Sequence, residues 1–211
     1  MSGFLHSINV ATELHHEEEW TGSERHTGID KRPVANGCEI DATGVVGDHV
    51  IDTAHHGGEW QAIYAYAIED LRWWETSLNL SINPGAFGEN LTTSGIDVSG
   101  ALLGEKWCIG DVVLQVTQPR IPCRVFAGFW QRPELIKEFT VARRPGAYLK
   151  VIQSGRLNAG DKVLVLDRPQ NSISIADAFA VKTGDRTHLQ RLTQCDFLSP
   201  NWVQWCKDIA T

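Results

Sequence analysis

Several features that define broad protein classes are missing from this sequence. It has no run of about 20 apolar residues, the length that a bilayer-spanning helix needs. Its net charge is -7, whereas general nucleic-acid binding requires a basic face that neutralises phosphates. It also lacks a G-x-G-x-x-G motif and a P-loop. We therefore expect no membrane association, no stable nucleic-acid binding and no doubly wound nucleotide-binding fold.

Paired cysteines are also missing. The five cysteines form no C-x-x-C pair, which argues against a zinc ribbon or a thioredoxin-type motif; they are Cys38, Cys108, Cys123, Cys195 and Cys206. The first six residues contain no basic segment followed by an apolar one, so we see no secretory signal. An odd cysteine count without a signal suits reduced thiols, and we expect a cytoplasmic protein.

The composition is that of an ordinary globular protein. The 211 residues include 42% hydrophobic and 21% charged residues, enough for one large domain or a domain with a small appendage. Short apolar runs broken by glycines predict a mostly β barrel in an α+β fold rather than a doubly wound sheet. The clearest helix is predicted over residues 59–80, where six apolar residues recur at steps of three and four: Trp60, Ile63, Tyr64, Ala67, Leu71 and Trp74.

The C-terminal part differs in composition from residue 171 onwards. We predict a barrel domain over residues 1–170 and a three-helix module over residues 171–211. Ser174, Asp185 and Ser199 each stand where a helix N-cap is expected. Three short helices bury too little surface to fold alone, so we expect them to pack on the barrel or on the second subunit of a homodimer.

The stretch from Thr117 to Arg124 indicates reactive chemistry. An alternating strand pattern ends at Pro119, and Pro122 restricts the backbone just before Cys123. Arg120 and Arg124 flank this thiol, and a nearby guanidinium favours the thiolate and lowers its pKa below about 8.5. The alternative is a buried structural cysteine whose neighbouring arginines point to solvent.

Seven motifs along the chain, in order, resemble those of the MOSC family, which is named for the C-terminal domain of molybdenum-cofactor sulfurases, and in particular its small bacterial YiiM-type members. They are Thr27-Gly28-Ile29-x-Lys31-x-Pro33-Val34, Gly44-x-x-Gly47-Asp48 with Asp52, His56-Gly57-Gly58, Phe87-Gly88-Glu89-Asn90-Leu91, Gln118-Pro119-Arg120-x-Pro122-Cys123, Gly146-x-Tyr148 and Gly160-Asp161. The tail from Ser174 is similar to the three-helix module that follows the barrel in such proteins. One departure is His55, which doubles the usual single histidine before the two glycines.

This resemblance implies a barrel whose cleft holds the molybdenum cofactor, a pterin with a dithiolene and a phosphate. Cys123 would then ligate molybdenum or carry a persulfide. The first hypothesis is an oxidoreductase that reduces N-hydroxylated compounds, such as N-hydroxylated purine bases, and so detoxifies them with electrons from an external donor protein. The alternatives are a persulfide sulfurtransferase and a non-catalytic cofactor carrier.

We predict Cys123, Arg120 and His56 as catalytic residues. His56 would donate to a cofactor oxygen or relay a proton. Lys31, together with Arg120 and Arg124, would offer positive charge to the phosphate; Lys31 as a solvated loop residue is the alternative.

Five further positions are predicted to bind the cofactor: Asp48, Gly57, Gly58, Asn90 and Thr92. Asp48 would accept from the pterin N–H groups, or would bind its own backbone in a turn. The two glycines would let backbone N–H groups approach an anion. The Asn90 and Thr92 side chains would present an amide and a hydroxyl, unless Glu89 and Asn90 only brace the turn. A zinc site from His55, His56 and Cys123 is disfavoured because adjacent histidines converge poorly on one ion.

Overall fold

The computed structural model describes residues 2–53 and 56–210. Its strands are β1 (Ser2–Val10), β2 (His15–His16), β3 (His26–Thr27), β4 (Arg32–Pro33), β5 (Cys38–Asp41), β6 (Gly44–Val45), β7 (Ile63–Ala67), β8 (Leu91–Ser94), β9 (Lys106–Ile109), β10 (Val112–Pro119), β11 (Ala147–Gln153), β12 (Gly155–Leu157) and β13 (Lys162–Asp167). Its α-helices are α1 (Ile68–Leu78), α2 (Arg124–Phe129), α3 (Leu135–Ala142), α4 (Ile175–Lys182), α5 (Leu189–Thr193) and α6 (Pro200–Ala210).

Seven strands close into a barrel. The order is β13-β9-β10-β11-β7-β8-β1, and the ring closes where β1 pairs with β13, with Ser2 opposite Leu164. Neighbouring strands are antiparallel except for the parallel pair β7 and β8. The prediction of a mostly β barrel in an α+β fold is confirmed.

The barrel interior is filled by alternating apolar side chains. Along β10, Val112, Leu114 and Val116 are fully buried while the residues between them are partly exposed, as the period of two in a strand requires. Trp107 of β9 is also fully buried in this core. Beyond Val116 every residue of β10 is buried, which carries the strand end into the protein just before Arg120.

The helix predicted over residues 59–80 is wrong in its first half. Glu59–Gln61 form one 3-10 turn, Ile63–Ala67 form the central strand β7, and the helix begins only at Ile68. All five residues of β7 are buried because the strand lies between β11 and β8 and is covered on both faces. A strand buried on both faces is continuously apolar, and such a run cannot be distinguished from a buried helix by periodicity alone.

The predicted caps precede the C-terminal helical segments, and Asp185 caps the 3-10 turn Arg186–His188 that leads into α5. Ser174 Oγ accepts from the Asp177 N–H at 3.1 Å, and an Asp185 carboxylate oxygen accepts from the Thr187 N–H at 3.0 Å. The helix α6 begins at Pro200, directly after Ser199. Apolar side chains of these helices join the hydrophobic core of the barrel. The helices therefore pack on the barrel, while the division into two domains stays a prediction.

A second, aromatic cluster lies beside the barrel core. It joins β7, the loop before β8, and helices α1 to α4; its largest members are Tyr66, Trp74, Phe87, Phe126, Phe139 and Phe179. Phe87 and Phe126 meet edge to face with ring centroids 5.2 Å apart, a favourable arrangement for aromatic pairs. Within the described ranges, no helix combines the length and apolar character needed to cross a membrane.

Candidate active site

A cavity of about 470 Å³ opens among the loops at one end of the barrel. Its wall is formed by residues 21–24, 26–29, 31, 49–52, 56–57, 87–88, 90 and 120–125, with contributions from β7 and β11. Seven of the predicted site residues line this cavity: Lys31, His56, Gly57, Asn90, Arg120, Cys123 and Arg124. Motifs separated by more than 90 residues in the sequence are thus brought to one concave surface.

Cys123 occupies the N-cap position of α2 and lines the cavity. Burial on its own would raise the pKa of this thiol. A hydrogen bond from His56, the charge of Arg120 and the backbone N–H of Phe126 outweigh that effect and lower the pKa to about 7. About half of the Cys123 side chains are therefore thiolates at neutral pH.

The sequence prediction for Cys123 was right in direction but incomplete in its cause. Arg120 contributes as expected, and the hydrogen bond comes from His56, which the sequence did not connect to this thiol. Arg124 is exposed, and its Nη2 donates to the Glu19 carbonyl at 3.3 Å. Solvent screens an exposed guanidinium, so Arg124 contributes little to the thiolate.

A chain of hydrogen bonds runs from Arg120 to Cys123. Tyr148 Oη accepts from Arg120 and lies 3.3 Å from His56 Nδ1. Burial raises the pKa of Tyr148 to about 12, so the phenol keeps its proton and can donate it to Nδ1. Because His56 also hydrogen-bonds Cys123, its imidazole links the Tyr148 phenol to the thiol.

Arg120 is a buried cation with an unused donor. Its side chain is only 4% exposed, and its guanidinium carbon lies 4.0 Å from the Phe126 ring centroid. The ring face stabilises the charge. Arg120 Nη1 is buried and has no hydrogen-bond partner among the residues that the structure describes. A buried donor without a partner is costly, which makes this nitrogen a contact point for an acceptor or an anion.

Lys31 and Asp48 form a buried ion pair at another part of the wall. Lys31 Nζ donates to Asp48 Oδ2, the same oxygen that accepts from Asn90 Nδ2 at 2.7 Å, while Asp48 Oδ1 accepts from the Ala11 N–H at 2.9 Å. Although burial alone would raise the pKa of Asp48, the Lys31 charge and these hydrogen bonds lower it. Burial lowers the pKa of Lys31 despite this partner.

Asp48 was predicted to bind the cofactor, but its contacts are with other protein groups. Asp48 is not among the described residues that line the cavity, and its carboxylate is engaged by three protein donors. It holds Lys31 and Asn90 in place, rather than binding its own turn. Asn90 also accepts from the Tyr64 N–H at 3.1 Å through Oδ1, so its amide braces the wall that it lines.

Thr92 is not among the described residues that line the cavity. It is fully buried, its hydroxyl donates to Glu89 Oε1 at 3.0 Å, and it accepts from Asn9 Nδ2 at 2.9 Å. Glu89 is fully buried too and accepts from the N–H groups of Gly85 and Phe87. Thr92 and Glu89 therefore support the loop before β8 from within, which matches the bracing alternative considered for Glu89.

The glycines after His56 adopt a backbone conformation that other residues rarely tolerate. The φ angles of Gly57 and Gly58 are 75° and 73°. Gly57 lines the cavity, whereas Gly58 leads into the 3-10 turn. His55 lies outside the described residues. Within the described part of the chain, no group of three or more His, Cys, Asp or Glu side chains is arranged to hold a metal ion. The zinc alternative includes His55 and is therefore not tested.

Two residues of the wall were missed by sequence reasoning. Tyr148 was named only as part of the Gly146-x-Tyr148 motif and was given no role, yet its hydroxyl lies 3.3 Å from His56 Nδ1. Gln61 was placed inside the predicted helix, yet it lines the cavity at the end of the 3-10 turn. The place of Tyr148 in the Gly146-x-Tyr148 motif was the available signal; Gln61 carried none.

Comparison with known proteins identifies relatives across most of the chain. Residues 52–164 match the model of the MOSC domain. The uncharacterised protein YflK of Bacillus subtilis is 30% identical over 87% of this chain and 85% of its own length. Protein YiiM of Escherichia coli is 27% identical over 84% of this chain and 82% of its own length. A Gibberella moniliformis protein named "Reductase" is 28% identical over 82% of this chain, which corresponds to 32% of that longer protein.

Solved structures agree with the architecture. The crystal structure of YiiM from Geobacillus stearothermophilus superposes with a TM-score of 0.81 at 28% identity, covering 99% of this chain and all of the other. The crystal structure of YiiM from Escherichia coli gives a TM-score of 0.76 at 21% identity, covering 99% of this chain and 92% of the other. At that lower identity the likeness concerns the fold alone.

Proposed function

The chain belongs to the MOSC domain family, and from this premise we propose that it is an oxidoreductase that uses the molybdenum cofactor to reduce N-hydroxylated compounds. The likeness to YiiM proteins and the reductase name of the fungal relative support this direction. The observation that carries the proposal is the Cys123 thiol, which lines the cavity and has a pKa of about 7.

The residues of the cavity fit such a cofactor in two respects. A thiolate is a soft ligand and suits a metal that is already bound by dithiolene sulfurs, which is the role proposed for Cys123. The unpaired Arg120 Nη1 is a buried cationic donor, which suits an anionic oxygen. The exposed Arg124 adds positive charge to the same cavity, whereas the charge of Lys31 is balanced by Asp48. Gly57 lines the cavity with backbone that carries no side chain. Asn90 donates to Asp48, the ion-pair partner of Lys31.

The reaction consumes two electrons and two protons: R–NH–OH becomes R–NH2 and water as the N–O bond breaks. When bound, the cofactor would supply the electron pair for this cleavage. His56 and Tyr148 would relay protons, because their hydrogen bonds connect the thiol to a buried, protonated phenol. The sequence contains no flavin or iron–sulfur motif, so an external protein would supply the electrons.

The test is turnover of an N-hydroxylated substrate by protein purified from a host that makes the cofactor. Cys123→Ser should abolish turnover of benzamidoxime with a chemical reductant and leave the fold intact by circular dichroism. Cys108→Ser is the matched control, since Cys108 lies on β9 and donates to the Gly110 carbonyl. Full activity of Cys123→Ser would refute the proposed role.

The same thiolate would also serve a persulfide carrier, because thiolates are the reactive form in sulfur transfer. Mass spectrometry of Cys123 after incubation with a cysteine desulfurase and cysteine separates the two functions. A stable added sulfur together with no turnover of benzamidoxime would favour sulfur transfer. Tight cofactor binding without turnover under any reductant would favour a carrier.

A further inference from the structure

Gln61 places an unused acceptor in the wall of the cavity. It ends the 3-10 turn Glu59–Gln61, which follows the His56-Gly57-Gly58 segment and precedes β7. Its Oε1 is buried and has no hydrogen-bond partner in the part of the chain that the structure describes. Gln61 lines the same cavity as Cys123, His56 and Arg120. A buried carbonyl oxygen without a donor calls for an explanation, and a ligand is the simplest one.

The turn that carries Gln61 is held firmly. The Gln61 N–H donates to the Gly58 carbonyl at 3.1 Å. The Thr117 hydroxyl, near the end of β10, lies 2.6 Å from the Trp60 carbonyl and 2.9 Å from the Tyr148 carbonyl. Lys150 Nζ lies 4.3 Å from the Trp60 ring centroid. These contacts tie the turn to β10 and β11, so the backbone of Gln61 is fixed beside the strand that leads to Arg120 and Cys123.

From this arrangement we infer that Gln61 is a specificity-determining residue, whose side-chain oxygen accepts a hydrogen bond from the N–O–H group of an N-hydroxylated amidine or base. The inference rests on the proposed function and names the group that is recognised. A neutral amide oxygen suits this task because it accepts a hydrogen bond from a hydroxyl without adding a negative charge beside the Cys123 thiolate.

The cavity thus combines two buried, unpaired atoms of opposite kind. Arg120 Nη1 is a donor and Gln61 Oε1 is an acceptor. A site that hydrogen-bonds a substrate hydroxyl discriminates against an analogue that lacks it, because the analogue leaves the buried protein group unpaired. The expected discrimination from one neutral hydrogen bond is about tenfold in kcat/KM.

The test compares benzamidoxime with its O-methyl ether, which keeps the N–O bond and lacks the hydroxyl proton. In cofactor-loaded wild-type protein we expect kcat/KM to favour benzamidoxime by about tenfold. Gln61→Met has a similar volume but no acceptor, and the preference should vanish. Gln61→Glu keeps an acceptor and should retain the preference, although its negative charge beside the Cys123 thiolate should lower the turnover of both compounds. Binding of both compounds to each variant is measured separately by calorimetry without reductant.

Each outcome has one meaning. An unchanged preference for benzamidoxime in Gln61→Met, in both turnover and binding, would overturn the role of Gln61 while leaving the proposed reductase intact. If the wild type turned over neither compound but bound benzamidoxime more tightly than the ether in a Gln61-dependent manner, the reductase proposal would fail and the recognition role would stand. Absence of both turnover and binding would overturn both.

Discussion

Removing the His56 imidazole should raise the pKa of Cys123. His56 supplies the strongest of the interactions that lower this pKa, so His56→Ala removes a hydrogen bond to the charged form of the thiol. Hydrogen bonds to charged groups contribute about 1.5 to 3 kcal/mol, and one pKa unit corresponds to about 1.4 kcal/mol. The pKa should therefore rise from about 7 by about one to two units.

The consequence for reactivity follows from the thiolate fraction. At pH 7 about half of the Cys123 side chains are thiolates in the wild type, whereas about 1 to 10% would be thiolates in His56→Ala. Because the thiolate is the nucleophile, alkylation of Cys123 by iodoacetamide at pH 7 should slow by about fivefold or more. Both proteins should react at similar rates well above pH 9, where the thiol is deprotonated in each.

Mass spectrometry of the Cys123 peptide over a pH series from 5 to 10 measures this pKa without interference from the other four cysteines. His26→Ala is the matched control, because His26 lines the same cavity while its Nδ1 lies against the Glu24 carbonyl at 2.6 Å. That control should keep the wild-type pKa. An unshifted pH profile in His56→Ala, or a wild-type pKa near 8.5, would refute the reasoning about this site.

Three further predictions concern the surroundings of the site. Lys31→Met leaves the Asp48 carboxylate buried without its counter-ion and should lower the free energy of unfolding by about 3 kcal/mol at pH 7 in urea denaturation. The folded-state pKa of Asp48 lies below 3.8, so the stability that its carboxylate contributes is present above pH 3.8 and is lost as the pH falls through the folded pKa. The loss of unfolding free energy in Lys31→Met should therefore become smaller on acidification. A loss that is the same at every pH would contradict the ion pair between Lys31 and Asp48. Glu89→Gln replaces one carboxylate oxygen, which accepts backbone N–H groups, with an amide NH2 that can only donate. The free energy of unfolding should fall by about 2 kcal/mol. A change below about 0.5 kcal/mol would show that Glu89 does not stabilise the loop before β8. Arg124→Ala should change the pKa of Cys123 by less than about 0.3 units in the same alkylation assay, because this guanidinium is exposed; a rise of a full unit would contradict that.

The parts of the fold that were predicted correctly have local signals. The strand that ends at Pro119, the N-caps at Ser174 and Asp185 and the alternation within β10 depend on neighbours in sequence. The strand β7 was missed because all of its residues are buried, and its burial depends on β8 and β11, which are distant in sequence. Local pattern alone cannot separate such a strand from a buried helix.

The sequence predicted which residues form the candidate site better than it predicted the contacts between them. Cys123, Arg120 and His56 do line one cavity. The hydrogen bond between His56 and Cys123 joins residues that are far apart in the chain, so no local spacing in the sequence predicts it. The same reason explains why Asp48 was expected to meet a ligand; its partners Ala11, Lys31 and Asn90 come from separate segments that only the closed barrel brings together.

The most direct test of the central claim is X-ray absorption at the molybdenum edge of the loaded protein. If Cys123 ligates the metal, the wild type and Cys108→Ser should show the same sulfur coordination, and Cys123→Ser should show one sulfur ligand fewer. Identical sulfur coordination in all three proteins would contradict the assignment of Cys123 as the molybdenum ligand.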